Sequence, residues 1–311
     1  MLFAATAAGL ALAAVARTYL MLLVATLVTG VGFALGNPAT NHVLAFHVDP
    51  HRKGALTGVK QSGVQAGAFL AGIALPGLAD GVGWRGALLA SLVLPVVGLV
   101  LAVVLVPPTA AASAVRGAVV PRDVWWLAVY AAMMGAGVSA IGAYLPLYAV
   151  EAVGTSAAVG GALAAVMGGA GVLARLGWGS WGDRTSRSLA TPLLWLAVGA
   201  VLATGILIGA DAGGAWLLPV AAVGLGSTAV AWNAIGMLAI VRDVAPGISG
   251  AASGRVLLGF YVGLLSSPVA FGFVVDRTGS YTVAWVGVGV LFAVGAVVAW
   301  RWRSSAARPA A

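Results

Sequence analysis

Residues 189–209, LATPLLWLAVGAVLATGILIG, run without a single charged side chain. A helix needs about 20 apolar residues to cross a hydrocarbon core about 30 Å thick. In lipid, each backbone N–H and C=O has to be satisfied within the segment. The stretch therefore predicts a membrane-spanning helix. Similar stretches lie near residues 1–16, 18–46, 54–78, 86–106, 124–149, 156–178, 216–241, 253–275 and 282–300. The 311-residue chain is 61% hydrophobic and 8% charged, with a mean hydropathy of +1.05. No water-soluble domain has that balance. The expected fold is all-α: a polytopic membrane bundle of ten transmembrane helices.

Composition narrows the chemistry. The 45 glycines suit membrane helices, whose backbones approach closely at small residues. Cysteine is absent, which excludes disulfides, thiolate metal sites and cysteine nucleophiles. His42, His47 and His51 with eight acidic residues leave little for a metal, and no cofactor is expected. A net charge of +8 would suggest nucleic acid in a soluble protein, but here it reports topology. One set of loops and the tail holds Arg52, Lys53, Arg116, Arg122, Arg184, Arg187, Arg242, Arg301, Arg303 and Arg308, with Lys60 and Arg255 just inside the following helices. The opposite side holds Arg17, Arg85 and Arg277. The bias predicts a multi-pass protein of the plasma (cell inner) membrane with its basic loops and C-terminus in the cytoplasm. The first apolar run lacks the basic start of a cleavable signal peptide.

An internal repeat is the second strong signal. Gly30-Val-Gly32 matches Gly224-Leu-Gly226 at an offset of 194, which also pairs Asp49 with Asp243. Gly54-Ala-Leu-Thr-Gly58 matches Gly250-Ala-Ala-Ser-Gly254 at an offset of 196, which also pairs Gly67 with Gly263 and Asp80 with Asp276. Parallel repeats about an axis along the membrane normal characterise one large class of secondary transporters. The proline-containing stretch 107–123 is the one plausible linker. It divides a four-helix N-terminal bundle, 1–106, from a C-terminal six-helix bundle and short tail, 124–311.

These residues resemble the major facilitator superfamily. Gly179-Ser-Trp-Gly182-Asp183-Arg184-Thr-Ser-Arg187 is similar to its aspartate–arginine loop motif, with Ser186 where glycine usually sits. The paired Gly-x-Gly segments resemble its fourth and tenth helices. Lys60-Gln61-Ser-Gly63-Val-Gln65-Ala-Gly67, ending at Pro76 and Trp84-Arg85, resembles its fifth helix and following loop. Phe271-Gly272-x-x-x-Asp276-Arg277-Thr-Gly279-Ser-Tyr281 resembles the segment between its last two helices. Thr26 departs from the basic residue usual before the fourth helix's glycines. In this register the chain's spans correspond to the family's helices three to twelve. The first two helices are then lacking, which implies a fragment of a twelve-helix protein or a wrongly placed start, with an evolved ten-helix variant as the other reading.

The resemblance implies a secondary active or facilitative transporter of a small polar or anionic solute, working by alternating access around a central cavity. Cavity candidates are Asn37, Asn41, Lys60, Gln61, Gln65, Ser139, Tyr144, Asn233 and Tyr261, polar groups that lipid penalises. For each alone, the competing reading is interhelical hydrogen bonding. Lys60 either snorkels to the headgroups or meets an anionic substrate. Trp232 is read as packing and His42 as interfacial. The expected cytoplasmic gate comprises Arg175, Asp183, Arg184, Arg187 and Asp243. In it, Asp183 sits against the start of the helix beginning near Gly54, and Arg184 or Arg187 pairs with Asp243.

All eight acidic residues fall at span ends or in loops, so coupling to a proton or other ion is not visible in them. The expected partners are a small-molecule solute, the lipid bilayer and a coupling proton or ion, with no nucleic acid. A non-transporting membrane sensor or scaffold reusing the fold is the alternative, and saturable solute flux discriminates between the two. An enzyme is a poor third, since no nucleophile–base pair, catalytic carboxylate pair or phosphate loop stands out.

Overall fold

The computed structural model describes residues 1–105, 121–185 and 188–306, and these are helical almost throughout with no strand among them. In chain order the helices are α1 (Leu2–Val15), α2 (Tyr19–His47), α3 (Lys53–Ser91), α4 (Val93–Leu105), α5 (Arg122–Glu151), α6 (Ala157–Arg184), α7 (Ala190–Gly213), α8 (Leu217–Leu225), α9 (Trp232–Asp243), α10 (Ser249–Thr278) and α11 (Tyr281–Ala306). Eight helical stretches are long and apolar enough to cross a membrane, and α1 is a shorter apolar helix. Residues 107–120 of the expected linker lie outside the described residues. Arg122 and Asp123 already belong to the first turn of α5, which Pro121 precedes at the N-cap.

Two spans differ from the hydropathy reading. The loop expected at 79–85 is helical on both sides of one break, Gly83, whose φ of 72° and ψ of 163° only glycine adopts without strain. The hydropathy dip around Asp80 and Arg85 thus marks the break where one helix gives way to the next. Arg85 there donates from Nη2 to the Ala16 carbonyl at 2.8 Å, tying α3 to the end of α1. The span expected at 216–241 is α8 and α9 joined by a π-helical turn, Gly226–Val230. Such a turn leaves carbonyls without their usual intrahelical donors. Here α6 supplies the donors: Trp178 Nε1 to Ser227 O at 3.3 Å and Arg175 Nη2 to Val230 O at 2.8 Å.

α1 packs against α2, α3 and α4, a group we term the N-terminal bundle, and α5 packs against α6, α10 and α11 in what we term the C-terminal bundle, α5–α11. The C-terminal bundle has the larger buried core, including Tyr130, Tyr148, Leu193, Leu207, Trp285 and Phe292. Its buried hydroxyls are placed economically. Tyr130 and Tyr148 donate to the α7 carbonyls of Leu193 and Leu207 at 2.8 and 3.1 Å. Exposed apolar side chains such as Leu94, Val103, Leu173, Leu265 and Val269 form the surface that lipid covers in a membrane protein.

The α5–α10 seam rests on small residues. A Cβ on Gly263 would lie 2.1 Å from the Ala132 carbonyl oxygen, and one on Gly259 would lie 2.3 Å from that of Ala128. Gly63 on α3 meets nothing within 4 Å. Gly263→Leu should therefore force α5 from α10 at an overpacking cost of about 1–3 kcal/mol and lower the thermal midpoint in detergent. Gly63→Ala should leave it unchanged. Equal midpoints for both variants would contradict this packing.

Candidate functional site

Among the described residues, the contacts recorded between the two bundles run from one end as far as the Phe33–Tyr261 ring pair. Call the side carrying Arg52, Lys53, Arg184 and Arg242 the basic side. There α3 and α6 meet backbone to backbone: a Cβ on Gly54 would lie 2.2 Å from Gly179 O, one on Gly58 2.5 Å from Arg175 O, and one on Gly179 2.4 Å from Gly54 O. Gly54 and Gly58 are one turn apart on one face, the small-x-x-x-small spacing that brings membrane helices close.

Asp183 closes this contact. Its Oδ1 accepts from Gly54 N at 2.5 Å and its Oδ2 from Ala55 N at 2.7 Å. These are N–H groups of the first turn of α3, which have no intrahelical acceptor and carry the positive end of the helix dipole. The carboxylate therefore gains two charge-assisted hydrogen bonds and a favourable field at once.

Further from the basic side, two polar clusters continue the seam. In the first, Lys60 Nζ donates to Asn41 Oδ1. Asn41 is fully buried and passes the link across the bundles, its Nδ2 donating to Ser253 Oγ at 2.9 Å and lying 3.5 Å from Met237 Sδ. In the second, Arg175 is 4% exposed and donates from Nε to Asn233 Oδ1 at 3.0 Å. Gln61 Nε2 reaches the Asn233 carbonyl at 3.5 Å. Asn233 and Met237 lie one turn apart on α9, so the two clusters form one layer between the bundles.

Beyond that layer the seam opens. On α3 the stripe Gly54, Gly58, Ser62 is buried, while Ala66, next on the same face, is exposed. On α6 Gly179 and Arg175 are buried, Gly168 meets nothing within 4 Å, and Ala164 and Ala165 are exposed. On α2 exposure rises from Asn41 through Asn37 to Phe33, at 59%, whose ring lies 6.1 Å from that of Tyr261. The result is a cleft closed on the basic side and open on the other. Asn37, Gln65, Tyr261 and part of Lys60 are half-buried near its floor.

Other expected residues lie elsewhere. Pro268 has no N–H, so within α10 it leaves the Leu264 carbonyl without its usual donor. Ser139 fills that role at 2.7 Å, and Tyr144 donates to the Pro268 carbonyl at 3.0 Å while stacking on Phe271 at 4.3 Å. Both hydroxyls thus serve the α5–α10 seam. Asp243 pairs with its neighbour Arg242 (Nε to Oδ1, 2.6 Å) rather than with Arg184, because Arg242 precedes it on the same helix end and reaches it without crossing a loop. Arg242 also donates from Nη1 to the Thr185 carbonyl at 3.1 Å. Arg184 is exposed, and Arg187 lies outside the described residues.

The topology reading of Lys53 missed a bridge. Its Nζ donates to Ala45 O at 3.2 Å on α2 and Val241 O at 3.3 Å on α9. It thereby joins the C-terminal ends of helices from both bundles, where a cation is favoured. Its place directly before Gly54 is the one hint in the sequence.

Two bundles packed against each other, built of helices long and apolar enough to cross a membrane, define a multi-pass membrane protein. The family model described as Major Facilitator Superfamily matches residues 1–237, and the chain belongs to that superfamily. Over 71 residues it is 37% identical to Probable sulfoacetate transporter SauU of Cupriavidus necator, a match spanning 23% of this chain and 15% of that protein. Its fold is similar to that of the human organic anion transporter MFSD10 (TM-score 0.80, 13% identity, covering 96% of this chain and 75% of that one). It is also similar to the transporter FucP in the outward conformation (TM-score 0.72, 18% identity, covering 97% and 82%). At these identities the structural likeness is one of fold.

The packing makes a direct prediction, because the chain has no native cysteine to block. Ser62→Cys, 7% exposed between α3 and α6 as serine, should react slowly with a water-soluble maleimide. Adding Gly58→Leu, which cannot fit against Arg175 O, should speed the reaction by about tenfold or more, an opening worth at least about 1.4 kcal/mol. The same rate in both backgrounds would contradict the seal.

Proposed function

We propose that the protein moves a small polar or anionic solute across the plasma (cell inner) membrane by alternating access, with the basic side and C-terminus in the cytoplasm. The observation that carries this reading is the one-ended seam. Asp183 caps α3 of the opposite bundle at the basic side, while the same helical stripes part company beyond Ser62 and Val172. Such a state is open outward. Rocking the bundles would break the Asp183 contact, separate α3 from α6 and present the cleft floor to the cytoplasm. Gate residues are then Asp183, Lys53, Arg175 and the Arg242–Asp243 pair, and the solute rests among Asn37, Gln65, Tyr261 and Lys60.

An anion is the preferred class. The ionisable side chains of the polar layer are the cations Arg175, which is buried, and Lys60, which is half-buried at its edge, and two similar proteins are named as a sulfoacetate transporter and an organic anion transporter. Every carboxylate of this chain stands at a span end or in a loop, so coupling through a buried acid would need a carboxylate outside these helices, and uniport or exchange would need none.

Purified protein in proteoliposomes tests this reading. Uptake of sulfoacetate and of a panel of small carboxylates and sulfonates should include at least one saturable flux. No saturable flux of any solute, neutral ones included, would contradict the carrier. Asp183→Asn should slow that flux by about tenfold or more, the scale of one lost charge-assisted hydrogen bond. Asp211→Asn, on the exposed outer end of α7, should change it by less than about twofold. Equal effects would undo the gate assignment.

A further inference from the structure

Arg175 and Lys60 differ in how they are held. Both partners recorded for the Arg175 guanidinium, Asn233 and Val230, belong to its own bundle. When the bundles rock, Arg175 and these partners move as one body. Lys60 stands one residue, Asn41, from the opposite bundle. Its ammonium rests on Asn41 Oδ1, and the same amide's Nδ2 donates across the seam to Ser253 Oγ. A cation on an amide carbonyl polarises the amide and strengthens its N–H as a donor. The charge of Lys60 therefore supports the cross-bundle bond without touching it.

The position of Lys60 is also exposed to competition. Among the described residues no carboxylate lies within ion-pair distance of it. A charge so placed in a membrane interior is unfavourable without a counter-ion. Its ammonium has three donors, and the side chain is half-buried rather than sealed. One turn outward from Asn41, on the same face, lies half-buried Asn37, at the floor of the cleft.

We propose that Lys60 recognises the anionic group of the solute and couples its arrival to the gate: a carboxylate or sulfonate draws the ammonium from Asn41, weakens the Asn41–Ser253 bond and releases the basic-side seal. This rests on the carrier reading above and adds the solute's required charge and the link that senses it. A neutral solute of the same size leaves Lys60 on Asn41 and the seam closed. The design gives order to the cycle, because the loaded carrier opens its basic-side seal more readily than the empty one.

The test uses the full chain carrying Ser62→Cys as the only thiol. In detergent, the carboxylates and sulfonates of the uptake panel should raise the maleimide labelling rate, and glycerol or a hexose should not. Lys60→Gln should weaken anion binding, measured by calorimetry, by about tenfold or more, as for the loss of a hydrogen bond to a charged group. It should also make labelling independent of the anion. Lys60→Arg, which keeps the charge, should restore both. Ser253→Ala, which breaks the link beyond Lys60, should label fast with no anion present, so the proposal is tested even if Lys60→Gln does not fold. Anion affinity and labelling response unchanged in Lys60→Gln, slow basal labelling in Ser253→Ala, or equal carriage of neutral solutes would overturn the assignment of Lys60 while leaving a carrier. Absence of any saturable flux in the parent would instead overturn the carrier reading on which it stands.

Discussion

The carboxylate of Asp183 on the first turn of α3 is the interaction on which the sealed end depends. It works only because Gly54, Gly58 and Gly179 let the two helices approach to backbone contact; with a Cβ at any of these sites the carboxylate would stand away from the N–H groups. Magnitudes set its rank among the gate contacts. Hydrogen bonds to a charged group contribute about 1.5–3 kcal/mol each, whereas an exposed ion pair such as Arg242–Asp243 contributes about 0–1 kcal/mol. Asp183 makes two of the former across the seam, and the ion pair lies within one helix end. A two-state equilibrium separated by a few kcal/mol is governed by the first kind of contact.

The layer above it is built on a different economy. Amides, a lysine and an arginine are unfavourable in lipid unless paired. Closing the seam gives Asn41 and Gln61 partners on the facing bundle, and opening it gives them to water; Arg175 is held by Asn233 and Val230 of its own bundle, and its buried Nη1 has no partner among the described residues. Both end states are therefore tolerable, and the lipid-facing surface, made of Leu, Val and Phe, is unchanged between them. The π-helical turn at Gly226–Val230 fits the same logic, since its freed carbonyls hold Trp178 and Arg175 in place.

Much of this was legible in the residues. Hydropathy gave the spans to within a few positions, and the aspartate–arginine motif with the Gly54-x-x-x-Gly58 repeat pointed to the start of α3 as the place where Asp183 lies. What failed did so for local reasons. Arg242 lies beside Asp243 and pairs with it, in place of the expected loop-to-loop pairing with Arg184; the other expected partner, Arg187, lies outside the described residues. Asp80 and Arg85 depress hydropathy as a loop would, and the break between the two spans falls there, though it takes the single residue Gly83 rather than a loop. Ser139 and Tyr144, expected at the cavity, donate to carbonyls of α10, a partnership that Pro268 already announced by leaving one of them without its usual donor. Lys53 bridging two helix ends depends on tertiary placement, to which no pattern along the chain gives access. The openness of one end of the cleft is likewise a property of the packed bundles.

The reciprocity of the two ends is the most direct test. Spin labels on the cysteine-free chain at Leu56 and Ser180 report the basic side, and labels at Val82 and Val159 report the other, all four positions being exposed. Distances between paired electron spins, measured with and without a transported solute in lipid nanodiscs, should lengthen for the first pair and shorten for the second. Both pairs moving in the same direction, or the basic-side pair staying fixed while flux proceeds, would contradict a seam that opens at one end as it closes at the other.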